Sequence, residues 1–503
     1  MRTGGSVIVP PANDAQRRVT PTVVAYPESG RGAPLVGHIA RMQSMSNSAF
    51  TFYGTKRLVG RRFDDPLVQE MIELAPFDIA EGPNGEAYLV GPENTLISPE
   101  AVLGEVVGRM KADAEKFLGE PVTHCILTVP AFFDPHQTQK MVSAVKLGGM
   151  TVVKTLAEPS AAALAWGMSS DVGRTVAVYD FGGGTFDVTI MRVKKKGFDV
   201  LAWDGDQFLG GMDFDKRIVE LMIARLHEKT GLDVRGNRLS LQRLHEAVEQ
   251  AKEALSSTET HNIILQNLSD AGQLETATLS ETLTREEFES IVADLVERTV
   301  EPCEAAMRKA KITPEEIDDV ILIGGMTSMP LIMRAVESIF GKPGRSDIPF
   351  DIAVANGAAM MGAAEQGTIK NLALNERLTH SIGFADADGV MVKLLKTNTP
   401  LERDGSKIVT TAVDDQRTAV IDFYEGERDD VSGNRHVRRL ILKDIEPQAA
   451  GLAQVRIGAR VDRGGMATFL AADVENPANE VVRSIHIGSG MTRAEIEELL
   501  AMD

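Results

Sequence analysis

The chain has 503 residues, of which 43% are hydrophobic and 25% charged, and carries a formal net charge of −19. That length exceeds one compact domain, and the composition is that of a folded protein, so two or three domains are expected. So acidic a surface repels a phosphate backbone and argues against nucleic acid as a partner; two cysteines cannot form a disulfide framework, and no apolar stretch reaches the length of a signal peptide or membrane span, which leaves a cytoplasmic protein with no membrane partner as the expectation.

In chain order, the runs Val19–Tyr26, His124–Val129, Val176–Tyr179 and Val320–Ile323 are strand-like and alternate with amphipathic helices. Within Leu241–Ser257 the apolar positions Leu241, Leu244, Val248, Ala251 and Leu255 recur at helical spacing. A further helix is expected from about Glu286, carrying Phe288, Ile291, Val292 and Leu295. The basic run Lys194–Lys196 before Gly197 reads as a hairpin tip. This mixture predicts an α/β domain over residues 1–368. After about Leu374 the period becomes two. Val455, Ile457, Ala459 and Val461 alternate with Arg456, Gly458, Arg460 and Asp462, and Ala419–Phe423 and Ile485–Ile487 read alike. Short strands at this spacing predict a β-sandwich over 381–488, behind a linker at 369–380. Thr492–Leu500 returns to helix with Thr492 and Glu495 as a capping box, so 489–503 is expected to be a helical stub.

The strongest chemical signal is Asp180-Phe181-Gly182-Gly183-Gly184-Thr185-Phe186-Asp187, between two strand-like runs. No Gly-Lys-Ser/Thr follows and no helix opens there, which excludes a Walker A loop and a dinucleotide fingerprint. Three glycines let backbone N–H groups converge on an anion, Thr185 adds a hydroxyl, and Asp180 and Asp187 suit a hydrated magnesium ion. The alternative is a glycine-rich hairpin with two solvated acids. A second turn, Gly324-Gly325 before Ser328 and Pro330, is expected to open a helix, as is Gly210-Gly211. Glu249, Lys252 and Ser256 share one helix face, which by itself reads as a solvated ion pair. Lys56 sits in a basic cluster, and Glu158-Pro159-Ser160 begins a helix.

Taken together, Lys56–Arg62, Thr128–Phe133, Glu158–Gly167, Asp180–Asp187, Leu209–Asp215 and Ile317–Pro330 resemble, in order, the 70-kDa heat-shock chaperone family of DnaK type. The resemblance implies an actin-like, two-lobed α/β ATPase domain, a β-sandwich peptide-binding domain and the start of a helical lid. It implies ATP or ADP with Mg in the cleft. Lys56 would place the attacking water, Glu158 and Asp180 would meet the magnesium's water shell, and Asp187 would activate the nucleophile. Gly182, Gly183, Gly184 and Thr185 would bind phosphate. Gly210, Gly211, Glu249, Lys252, Ser256, Gly324, Gly325, Ser328 and Asp351 would complete the nucleotide pocket. In the sandwich, Phe384, Val409, Ala419 and Ile421 would line a peptide pocket arched over by Ala387 and Ala412. Unfolded or extended polypeptides, a J-domain co-chaperone and a nucleotide exchange factor are the implied partners.

Several positions depart from the family pattern. The family opens with a strand and an Asp-Leu-Gly-Thr-Thr loop, and Met1 falls beyond it, so an N-terminally shortened nucleotide domain with slow or absent hydrolysis is expected. Ser328 and Glu253 replace residues that stack on adenine, a loss of about 0.5–2 kcal/mol. Met212 and Thr138 replace charged residues, the Asn371–Glu376 linker is less apolar, and Ala387 and Ala419 are small. Each CH₂ lost there forfeits about 0.8 kcal/mol of burial. The expected function is therefore an ATP-dependent chaperone, with a non-hydrolysing binding or regulatory relative as the alternative. An actin-like sugar kinase is disfavoured by the sandwich.

Overall fold

The computed structural model describes residues 19–44, 46–131, 133–167, 172–194, 197–269, 276–345, 349, 351–369, 373–375, 377–378, 380–462 and 466–486. The expected terminal helix Thr492–Leu500, the linker residues Asn371, Leu372 and Glu376, and the tip residues Lys195 and Lys196 lie outside them.

The centre of the α/β region is a five-stranded sheet, in the spatial order Asp319–Ile323, Thr175–Phe181, Phe186–Lys194, Gly197–Asp206, Ala373–Asn375. Strand Thr175–Phe181 is buried along its whole length because both faces of the sheet are covered. Ala177, Tyr179 and Phe181 enter one core, with Phe214, Leu241, Val248 and Phe288 from the helices of that side. Val176 and Val178 enter the opposite core, with Ala161, Leu164 and Trp166 of helix Glu158–Gly167. Alternation across a strand therefore decides which residues can reach which face. Asp180 and Asp187 fall on the second face, and their backbones are directly opposed in the antiparallel pair.

The N-terminal half is built more locally. A three-stranded antiparallel sheet (Leu35–Val36, Val23–Ala25, Thr51–Tyr53) packs Val24 and Phe52 against Leu58, Val68 and Phe77. The expected strand Val19–Tyr26 shortens to Val23–Ala25 because Pro21 offers no N–H to a ladder and its carbonyl instead accepts from the Val23 N–H in a turn. The parallel strands His124–Val129 and Thr151–Ala157 pair with each other, and the second runs directly into the helix that starts at Glu158. A cavity of about 650 Å³ separates the two halves, with Tyr53, Met71, Gly183, Met212, Asp215 and Glu249 among its walls.

Two expected helices change form. The segment after Glu286 is two short helices, Arg285–Ile291 and Ala293–Glu297, broken where Val292 has φ −119° and ψ 7°. Gly324-Gly325 does not open the following helix directly: a 3₁₀ turn, Gly325–Ser328, intervenes before Pro330–Phe340.

Beyond residue 380 the structure is two four-stranded sheets. One orders Met391–Leu395, Ile382–Ala385, Ala419–Glu425, Arg435–Leu442, and the other Asp404–Thr410, Gln454–Val461, Met466–Asp473, Glu480–His486. They share one core in which Phe423 stacks 4.5 Å from Phe469, and the alternating Val455, Ile457, Ala459 and Val461 all point inward. The sandwich is tied to the α/β region by strand Ala373–Asn375, which pairs in parallel with Gly197–Asp199, and by Arg377, which donates to Val200 O at 2.5 Å and Asn398 O at 2.7 Å.

Candidate functional site

The glycine hairpin has an unusual hydrogen-bond arrangement. Gly182 O accepts from the Gly211 N–H at 3.1 Å, and Gly183 O accepts from the Met212 N–H at 2.9 Å. Gly184 O accepts from Arg57 Nε at 3.2 Å and Nη2 at 3.0 Å. Three consecutive carbonyls are thus held on one side. In a planar trans peptide the next N–H points the opposite way. The N–H groups of Gly183, Gly184 and Thr185 accordingly turn to the open side of the hairpin, and among the described residues none of them has an acceptor. Two further glycines permit this packing. A Cβ on Gly210 would lie 2.5 Å from the backbone of Gly183 and Gly184, and one on Gly324, whose φ is +85°, would overlap the Phe181 carbonyl.

Beside the hairpin three carboxylates converge from strand ends. Asp180 closes one strand, Asp187 lies opposite it and is 1% exposed, and Glu158 starts the helix after strand Thr151–Ala157. Lys56 Nζ reaches Glu158 Oε1 at 2.7 Å. Burial pushes the Asp180 carboxyl up to about 7, with Glu158 adding repulsion and Lys56 opposing it. Asp187 is held well above the carboxylate range by burial, then by Asp180 and Glu158; the Ala131 N–H partly offsets this. Its Oδ1 is buried and has no hydrogen-bond partner among the described residues. Excess buried negative charge of this kind is what a cation would relieve. Among the described residues no three His, Cys, Asp or Glu side chains are placed to ligate a metal directly, so the cluster fits a hydrated cation held through its waters.

The helix face expected to meet a nucleoside is not a solvated surface. Helix Arg238–Leu255 brings Glu249 to Arg41, and Lys252 Nζ to Asp215 Oδ2 at 2.7 Å and Gly211 O at 3.2 Å. Burial raises both the Glu249 and Asp215 carboxyls. Ser256, which caps that helix, lies 3.4 Å from Ser328 Oγ, which itself donates to Gly325 O at 2.7 Å. A Cβ on Gly325 would meet no atom of the described residues within 4 Å. Asp351 is exposed, ahead of helix Ala353–Glu365.

Compared with known families, the chain matches the Hsp70 protein family over residues 1–502. The chain belongs to the Hsp70 family. At the level of that family this means ATP-dependent chaperone activity, with binding of nucleotide and of substrate polypeptide. No helix among the described residues is long and apolar enough to cross a membrane.

In this Hsp70, the sandwich residues singled out from the sequence divide by depth. Phe384 and Ile421 are each 4% exposed and belong to the sandwich core. Val409 and Ala419 are half-buried against that core, while Ala387 and Ala412 are exposed beside them in sequence. Sequence reasoning stopped at Lys56 and missed Arg57. The next residue of the same turn, it carries a bidentate pair with Asp213 as well as its bonds to Gly184. The only signal for it was a second basic residue in the Lys56–Arg62 cluster.

Proposed function

We propose that this Hsp70 binds ATP and ADP in the cleft between two actin-like lobes and couples that binding to an extended, apolar polypeptide held by the sandwich. The observation that supports it best is the row of N–H groups at Gly183, Gly184 and Thr185, freed by the pinning of three carbonyls. Such a row is an anion nest, and among the described residues it faces no acceptor. Magnesium, when bound, would neutralise phosphate charge. Asp180 and Glu158 would hold its water shell, and their present excess charge fits that role.

The chain's own groups then have distinct tasks. Lys56, tied to Glu158 here, would turn to a terminal phosphate and position the attacking water; Asp187, buried and inclined to hold a proton, would exchange one with that water; Thr185 would donate its hydroxyl. Gly210 and Gly211 back the hairpin. Glu249, Lys252, Ser256, Gly324, Gly325, Ser328 and Asp351 would face the nucleoside. Phe384, Val409, Ala419 and Ile421 would receive an apolar side chain beneath Ala387 and Ala412. The domains on this reading are residues 1–368, a linker at 369–380, the sandwich at 381–488 and a lid start at 489–503; a J-domain protein and an exchange factor would act on it.

A binding module with little turnover is the second reading. It is favoured by the internal pairs Lys56–Glu158, Arg41–Glu249 and Lys252–Asp215, each of which must open for a nucleotide to use those side chains. Calorimetry with ADP, with and without magnesium, followed by single-turnover hydrolysis of ATP, tests both. Magnesium-dependent ADP binding lost in Asp180→Ala is the expected result. No binding of ADP at millimolar concentration would overturn the nucleotide reading, and single-turnover hydrolysis of ATP at an ordinary chaperone rate, lost in Asp180→Ala, would remove the second.

A further inference from the structure

The geometry points to Arg57 as a positioning residue that makes the phosphate nest complete only when the two lobes are closed; this rests on the nucleotide reading above. Arg57 belongs to the turn Thr55–Leu58 in the N-terminal half, whereas Gly184 and Asp213 belong to the other half, 127 and 156 residues away in sequence. Its guanidinium spends one edge on Gly184 O. The other edge forms a fork with Asp213, Nη1 to Oδ1 at 3.1 Å and Nη2 to Oδ2 at 2.6 Å. Asp213 Oδ2 also accepts from the Gly210 N–H at 2.8 Å, which fixes the first turn of helix Gly211–Thr230. That same turn supplies the Gly211 and Met212 N–H groups that hold the first two hairpin carbonyls.

Two of the three pinned carbonyls are therefore held from within one lobe, and the third from across the cleft. If the lobes part, Gly184 O loses its donors, and the Gly184–Thr185 peptide, with no Cβ at Gly184 to restrain it, is free to rotate. The Thr185 N–H then no longer stays aimed beside those of Gly183 and Gly184. Closure and phosphate binding become mutually supporting: an anion that holds the nest favours the position of Gly184 O that Arg57 needs, and Arg57 in place favours the nest. The side chains of Arg57 and Asp213 are 15% and 21% exposed, so water competes weakly for this contact. Lys56, the preceding residue, points instead to Glu158, so one short turn contacts both the hairpin and the carboxylate cluster. A lysine at 57 would keep the charge but not the planar fork that reaches two acceptors at once.

The test compares ADP with adenosine, which lacks phosphate, by calorimetry on the full chain. Arg57→Lys is expected to weaken ADP by about tenfold to a hundredfold, the range for a charged hydrogen bond, with adenosine unchanged within about twofold. Asp213→Asn should act in the same direction with a smaller loss, and serves if Arg57→Lys does not fold. Equal losses for ADP and adenosine would show that Arg57 merely holds the lobes together, and full ADP affinity in Arg57→Lys would show that only its charge matters; either overturns the positioning role. A native chain that ignores ADP overturns the nucleotide reading itself, and is distinguished by failing before any variant is compared.

Discussion

Asp180→Asn should melt at a higher temperature than the native chain at pH 8, and its advantage should roughly halve at pH 5.5. The Asp180 carboxyl is buried beside Glu158, which raises it from 3.8 to about 7. An acid whose folded value is raised contributes stability that is fully present below its unfolded value and is lost as pH climbs through the folded one. The penalty therefore begins near pH 4, grows between there and pH 7, and is complete above it. A shift of that size corresponds to at most roughly 4 kcal/mol, because each unit is worth about 1.4 kcal/mol. Asparagine keeps the shape and removes the charge, so its benefit over aspartate follows the same curve. Trp166 and Trp203 are the only tryptophans, and both lie in the α/β region, so their fluorescence reports its unfolding without interference from the sandwich. On the proposed magnesium–nucleotide reading, adding magnesium and ADP should reverse the order, since the native carboxylate would gain a cation to hold and the amide would not. A native chain whose melting ignores pH between 5.5 and 8 relative to the variant would remove the argument that this cluster carries uncompensated charge.

Such a cluster was only partly legible in the sequence. The hairpin could be read directly because glycines, threonine and both aspartates are contiguous, and two strands need only local pairing to bring Asp180 opposite Asp187. The sandwich was equally legible, since a period of two survives in Gln454–Val461 whatever the partner strands are. What failed depended on distant packing. Val292 interrupts a helix with no glycine or proline to announce it, and buried Val292, Leu295 and Val296 are accommodated in the core by the break. Residues Ala373–Asn375 read as linker, yet they form a strand because Gly197–Asp199 offers an edge. Glu249 and Lys252 were legible as one helix face, but not that Arg41 and Asp215 occupy them. Arg57 illustrates the limit: its significance lies entirely in two acceptors more than a hundred residues away.

The largest mechanical effect is expected from Gly357→Ala. Gly357 lies in helix Ala353–Glu365, which packs so closely on helix Glu158–Gly167 that an added Cβ would fall within the Ala161 carbonyl. Backbone on both sides cannot yield as a flexible side chain can, so the helices must separate. Overpacking of this kind costs about 1–3 kcal/mol, and contact with backbone places it at the upper end. For an α/β region of this size, whose unfolding entropy scales with its length, that is a fall of about 4 °C in melting temperature by tryptophan fluorescence. Gly119→Ala is the comparison, because Gly119 also resists substitution but for a different reason. It has φ +76° at a helix end with no atom of the described residues within 4 Å of an added Cβ, so only the strained conformation is charged against it, about 1–2 kcal/mol. The two variants should differ in function as well as stability. Separating the helices displaces Ala161, less than one turn from Glu158, and with it the partner of Lys56. Gly357→Ala should therefore weaken magnesium-dependent ADP binding at temperatures where it remains folded, while Gly119→Ala leaves binding intact. Equal melting shifts, or unaltered ADP binding in folded Gly357→Ala, would mean that the helix pair can repack without moving Glu158.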